Sequence, residues 1–119
     1  MSDEMASFEE LEAAEGVEYA TIKAYGLTFE VGQVSSFDMI EWVESNEDPA
    51  KSREAGLRLL VKSLVDKNRQ RIPKADHARM VKVFGNKSNL ANGKVIAVIL
   101  RLNGMDKAAQ KLVAALKND

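Results

Sequence analysis

The spacing of apolar residues changes period near residue 35, and that change restricts the fold more than any other feature of the chain. Before it, Val17, Tyr19 and Thr21, then Leu27, Phe29 and Val31, alternate with Glu18, Thr28 and Glu30, and Tyr25-Gly26 separates the two runs. This is the pattern of a β-hairpin, because successive strand side chains face opposite ways and a glycine supplies the turn. After it, apolar residues recur at three- and four-residue spacing, as they do along one face of a helix. The expected fold is α+β, mainly α: a short N-terminal hairpin over residues 17–32, then a bundle of four to five helices from about residue 36. An isolated hairpin is marginal in water, so the helices must cover it.

The helices can be placed from caps and stripes. Ser35 or Ser36 can cap the first, with Ser35 and Asp38 at capping-box spacing and Phe37, Ile40, Val43 and Trp42 as inward candidates. Asp48-Pro49 predicts the next start, since Asp accepts from orphan amides and Pro at the first position loses no helical bond. Leu57, Leu60, Val61, Leu64 and Val65 form its stripe, to about Asn68. Ile72-Pro73 interrupts the chain before a third helix holding Met80, Val81 and Phe84 and stopping at Gly85-Asn86. Ser88 or Asn89 can start a fourth. Its run over residues 95–100 fits a buried strand or a helix; length and the Asn103-Gly104 stop favour helix. Gly93 inside it would mark a close helix contact, because glycine costs about 1 kcal/mol relative to alanine in a helix interior. Asp106 can cap a last helix with Ala109, Leu112, Val113 and Leu116 on one stripe.

Charge divides the chain as sharply as period does. Residues 1–48 carry 13 Asp/Glu against Lys23 alone, and residues 49–119 carry 16 Lys/Arg against 5 Asp/Glu, giving −12 and +11. Either the acidic end folds back on the basic end or the two ends face different partners. Residues 1–15 read as an acidic leader, either a short helix or an unstructured arm, the arm slightly favoured; residues 16–119 read as one globular domain. The acidic start does not resemble a secretory signal, and no apolar run approaches membrane-spanning length. With no cysteine, disulfides and thiolate chemistry are excluded and a cytoplasmic setting is expected.

Chemistry is sparse. His77 is the sole histidine, which excludes histidine clusters and pairs. Glu41, Glu44, Glu47 and Asp48 read as a solvated acidic face, since acid/base work needs burial to separate two pKa values. Neither phosphate loops nor nucleophile motifs occur. Neither an enzyme nor a cofactor nor a metal is expected. Residues 67–74 are the densest basic segment, continued by Arg79 and Lys82, and could neutralise phosphates. Against nucleic acid stand the competing acidic leader and the lack of interleaved aromatics. Met80, Phe84, Leu112, Val113 and Leu116 are the apolar docking candidates, with Arg69, Arg71 and Lys74 as a charged rim. The last stripe reads about equally as core or as a surface for a partner helix.

The hairpin from Val17-Glu18-Tyr19 to Gly26-Leu27-Thr28-Phe29-Glu30-Val31, the run Ser-Phe-Asp-Met-Ile-Glu-Trp-Val-Glu from Ser36, and the helix through Leu57 and Val65 together resemble the tail assembly chaperones of long-tailed bacteriophages. The resemblance covers roughly residues 17–104. It implies a small, mainly helical protein of the host cytoplasm that binds the tape measure protein and keeps its apolar helices soluble. Such a protein helps recruit tail tube protein and is absent from the mature virion. The acidic leader and basic second half depart from the family pattern. Self-association is open, since no heptad run demands it. The other readings are a small nucleic-acid-binding helical module using residues 67–82, and a helical adaptor for another phage or host protein.

Overall fold

A computed structural model describes residues 4–117, so the first three residues of the acidic leader and the last two of the chain lie outside it. The architecture is α+β and mainly α. A six-residue helix α1 (Phe8–Ala13) precedes the hairpin strands β1 (Tyr19–Ala24) and β2 (Leu27–Gly32), which are followed by α2 (Ser36–Glu47) and α3 (Ser52–Ser63). A two-residue strand β3 (Leu64–Val65) and a 3-10 turn (Lys74–Asp76) lead to α4 (His77–Gly85), α5 (Asn89–Leu102) and α6 (Asp106–Lys117). The sheet is antiparallel in the order β1-β2-β3.

The hairpin turns where its glycine predicts. Ala24 pairs with Leu27, and the intervening Tyr25 and Gly26 have φ of 56° and 73°. Two positive φ values define a type I′ turn, whose twist matches that of the strands. Tyr25 tolerates the left-handed region because its ring is packed, stacked on Phe29 and tilted against Phe84 at centroid distances of 6.0 and 5.6 Å. The inward face of β1 is Ala20, Ile22 and Ala24, paired across from Val31, Phe29 and Leu27. Tyr19 and Thr21, read as apolar-face residues from the sequence, lie on the outer face. Antiparallel register forces this, since residues directly opposite share a face.

α5 is the central element, with Val95, Ala97, Ile99 and Leu100 buried; its β-branched run is helical, as the stop signal suggested. Asn103 is the C-cap and Gly104 takes φ 80°, while the Gly104 and Met105 amides donate to Arg101 and Leu100 carbonyls at 3.0 and 2.7 Å. That is a Schellman ending, which satisfies carbonyls the helix would otherwise leave unpaired. The hairpin is tied to the same helix end: Gln33 Nε2 donates to the Leu102 carbonyl at 2.8 Å, and the Val34 amide donates to Asn103 Oδ1 at 3.1 Å.

Three expectations are corrected. Phe37 and Ile40 face solvent at 85% and 54% exposure, whereas Trp42 is buried. At 100° per residue Trp42 lies nearly opposite them, so α2 could bury only one side. Lys62 fixes the choice by reaching Asp38 at 3.4 Å and Glu41 at 2.7 Å from α3. Asp48 caps the end of α2 rather than the start of α3: its side chain accepts from the Ala50 amide at 2.9 Å in a turn, and the helix begins at Ser52. Finally, α3 stops at Ser63, five residues short of the expected end, because Leu64 and Val65 pair with Val31 and Glu30 on the open edge of β2. An unpaired strand edge leaves backbone groups unsatisfied.

Candidate helix-binding groove

A groove of about 630 Å³ runs between α3, α5 and α6, with Trp42 and Asn46 of α2 and Gly85 of α4 also lining it. Its floor is apolar, formed by Gly56 and Leu57 of α3, Gly93 and Ile96 of α5, and Leu112 and Leu116 of α6. Its rim is basic, with Arg53, Lys87 and Lys111 along the edge. Glycine explains the close approach of the helices. A Cβ built on Gly93 would lie 2.5 Å from Leu116 Cδ1, and one on Gly56 would lie 3.0 Å from Ile96 Cδ1. Gly93 therefore marks the helix contact that its sequence position suggested, and Leu116 is its partner.

One end of the groove rests on a buried polar pair. Asn92 donates from Nδ2 to the Phe84 carbonyl at 2.8 Å, which is an α4 carbonyl near that helix's end, and accepts from the Tyr25 hydroxyl at 2.6 Å. The hairpin turn, α4 and α5 thus meet at one amide. Burial pushes the Tyr25 phenol above its ordinary value of 10.0, since desolvation disfavours the charged form. The folded state accordingly holds its proton more tightly than the unfolded chain does. The stabilisation is present in full below pH 10 and is lost as pH rises through the folded value. Urea unfolding followed across this alkaline range should show stability falling faster than in Tyr25→Phe, which has no proton to lose at this position.

The residues singled out from the sequence are dispersed. Leu112 and Leu116 line the groove, and Val113 packs half-buried against the core beside them. Phe84 is buried at 7% exposure and is core. Met80 is half-buried against the core from α4. None of Arg69, Arg71 and Lys74 lines the groove, and the two arginines lie next to the sheet. Residues 66–70 form a tight loop in which Asp66 accepts from the Asn68 and Gln70 amides at 2.8 and 2.9 Å, and Val65 bridges to Arg71. Arg69, at φ 58°, places its guanidinium 4.1 Å over the Tyr19 ring and 3.4 Å from Glu30. Arg71 donates from Nη1 to the carbonyls of Ser63, Lys62 and Gly32 at 3.1, 3.2 and 3.3 Å and from Nη2 to that of Gln33. Two of the three expected rim cations are therefore engaged with their own fold, and Lys74 opens the 3-10 turn at the surface.

Sequence reasoning missed Arg53, Lys87, Gly56, Leu57 and Ile96 as a set. Arg53, Gly56 and Leu57 share α3, but Lys87 follows α4 and Ile96 lies on α5, and only packing brings the three segments together; the glycine on a helix face was the one local clue. A second, smaller depression of about 340 Å³ lies between α3 and α4, lined by Arg58, Val61, His77 and Val81. His77 Nε2 is 3.0 Å from the Ile72 carbonyl at the start of α4, which accounts for the ring by local structure. Among the described residues there is no cluster of three His, Asp or Glu able to hold a metal, and no helix is long and apolar enough to cross a membrane. No family model, curated protein or solved structure matches this chain.

Proposed function

We propose that this chain is a non-enzymatic assembly factor that receives an amphipathic helix of a partner protein in the groove between α3, α5 and α6. The observation that carries the reading is the combination of an apolar floor with a basic rim. Apolar anchors at three- and four-residue spacing along a helix fill such a floor. Acidic residues flanking those anchors would meet Arg53 and Lys111, Lys87 being held over the Tyr25 and Phe84 rings, which favours orientation and encounter rate more than raw affinity. The loop bearing Arg69 and Arg71 has committed those cations to Tyr19, Glu30 and backbone carbonyls, which weakens the nucleic-acid reading.

The specific form of the proposal is a phage tail assembly chaperone. Its partner is then the tape measure protein, held soluble in the host cytoplasm while tail tube protein assembles, and the chaperone leaves before the virion is complete. Co-expression with a neighbouring gene for a long helical protein, followed by size-exclusion chromatography with light scattering, tests it. A soluble complex of defined stoichiometry is expected. The double charge reversal Arg53→Glu with Lys111→Glu, at exposed positions, should weaken that complex about tenfold or more while leaving the thermal midpoint in place. Recovery of the long helical protein only as aggregate, with this chain eluting alone, would overturn the reading.

A further inference from the structure

The acidic leader contains the kind of helix that the groove fits. α1 begins with a full capping box: Ser7 accepts from the Glu10 amide at 3.1 Å and Glu10 accepts from the Ser7 amide at 3.2 Å. It has none of its own residues buried, and Phe8 and Leu11 are 88% and 60% exposed, with Met5 beyond its start at 95%. These three recur every third residue, with Glu9, Glu10 and Glu12 between and beside them. A helix of this length is not stable in water through its own hydrogen bonds, so its strong N-terminal cap and apolar stripe need a surface to pack on. Among the described residues, no other part of the chain buries it. The radius of gyration is 15.7 Å and the longest axis 52 Å against 28 and 26 Å, larger than the roughly 13.5 Å radius of a compact chain of this length, in keeping with α1 standing off the body.

We infer that α1 of a second copy of this chain docks in the groove, setting Phe8 and Leu11 on the Leu57, Ile96 and Leu116 floor and Glu9 and Glu12 against Arg53 and Lys111. Charge complementarity selects this occupant: the leader is the acidic end of the chain and the groove rim belongs to its basic end. Reciprocal exchange gives a closed pair with two equivalent contacts, as two-fold symmetry requires. Each contact is small, so the pair is weak and salt-sensitive. The leader thereby covers the apolar floor until a partner helix displaces it. This inference rests on the reading of the groove as a helix receptor.

Sedimentation velocity of the full chain at low salt, from about 5 to about 500 µM, spans the range in which micromolar contacts are populated. The expected result is a shift from 13.1 kDa toward twice that mass. Removing residues 1–15, Phe8→Ser with Leu11→Ser, or Arg53→Glu with Lys111→Glu should each weaken association about tenfold or more, and Glu9→Lys with Glu12→Lys should restore it in the groove variant. A synthetic peptide of residues 4–16 should bind the chain lacking residues 1–15 and compete with the long helical protein. A full chain that stays monomeric throughout would overturn the exchange, whether or not the peptide binds. If the chain is monomeric but still forms a complex that Arg53→Glu with Lys111→Glu weakens, the groove reading survives without the leader. If neither association occurs, both fail.

Discussion

Arg71→Ala is expected to lower folding stability by about 2–4 kcal/mol, far more than Arg69→Ala, because four backbone carbonyls share its guanidinium. Hydrogen bonds from charged donors contribute about 1.5–3 kcal/mol each when shielded. The Arg71 residue is partly exposed, so water replaces a share of what the substitution removes, and the total falls well below the sum. Two of the acceptors, Lys62 and Ser63, are the final residues of α3, whose last carbonyls have no intrahelical partner and carry the negative end of the helix dipole. The other two are Gly32, the last residue of β2, and Gln33, which follows it. One side chain thus joins the end of a helix, the end of a strand and its own loop. Gly32 takes part by having no side chain: a Cβ there would lie 2.9 Å from Tyr19 Cε1 and 3.0 Å from Arg71 Nη2.

At roughly 4 °C per kcal/mol for a domain of this size, the thermal midpoint should fall by roughly 8–16 °C. Arg71→Lys should recover little, since an ammonium cannot span acceptors in the plane a guanidinium fork covers. Arg69→Ala removes one exposed ion pair and one ring contact, together about 1 kcal/mol. Urea unfolding of the three variants decides the matter. Equal midpoints for Arg71→Ala and the unsubstituted chain would mean that the carbonyls are satisfied by water, and would return Arg71 to the surface cations available for a partner.

These two arginines also show where the sequence stopped being legible. As letters, residues 67–74 are a basic run; their roles depend on the Asp66 loop and on β3, a strand of two residues with no period of its own. Leu64 and Val65 continue the α3 stripe and would suit either structure, and the free edge of β2, far back along the chain in another element, decides. Trp42 against Phe37 and Ile40 is the same problem on one helix: several apolar residues point different ways, and only the position of α3 selects among them. Signals that act through neighbouring backbone were readable. Tyr25-Gly26 made its turn, Ser35 and Ser88 accepted the amides of Asp38 and Ala91 at 3.1 and 3.2 Å, and Asn103-Gly104 ended α5. The groove was half legible. Leu112 and Leu116 announced themselves as a stripe, but how far that stripe is covered depends on its neighbours: it packs on α5 and still lines the open groove.

Gly93→Leu tests that double role. The Cβ alone would approach Leu116 Cδ1 and Cδ2 to 2.5 and 2.9 Å, inside any permitted contact, so the Leu116 side chain must shift, and the further atoms of a leucine force the last turn of α6 to move with it. Overpacking of this kind costs about 1–3 kcal/mol, offset in part by the roughly 1 kcal/mol that replacing glycine returns to helix propensity. Gly93→Ala is the informative control: Leu116 can change rotamer for about 0.5–1.5 kcal/mol, which nearly cancels the helical gain, so stability should stay within about 1 kcal/mol of the parent. Gly93→Leu should be less stable by up to about 2 kcal/mol and should bind a partner helix at least about tenfold more weakly, since its side chain fills the floor from below. Adding Leu116→Ala should recover stability but not binding. The double-mutant cycle between positions 93 and 116 should then give a coupling of about 1 kcal/mol or more, whereas independent sites would add to within about 0.5. Additive stabilities would show that α6 does not rest on Gly93. Recovered binding in the double variant would show that Leu116 is only a support for the floor, leaving Leu57 and Ile96 as the surface a partner helix meets.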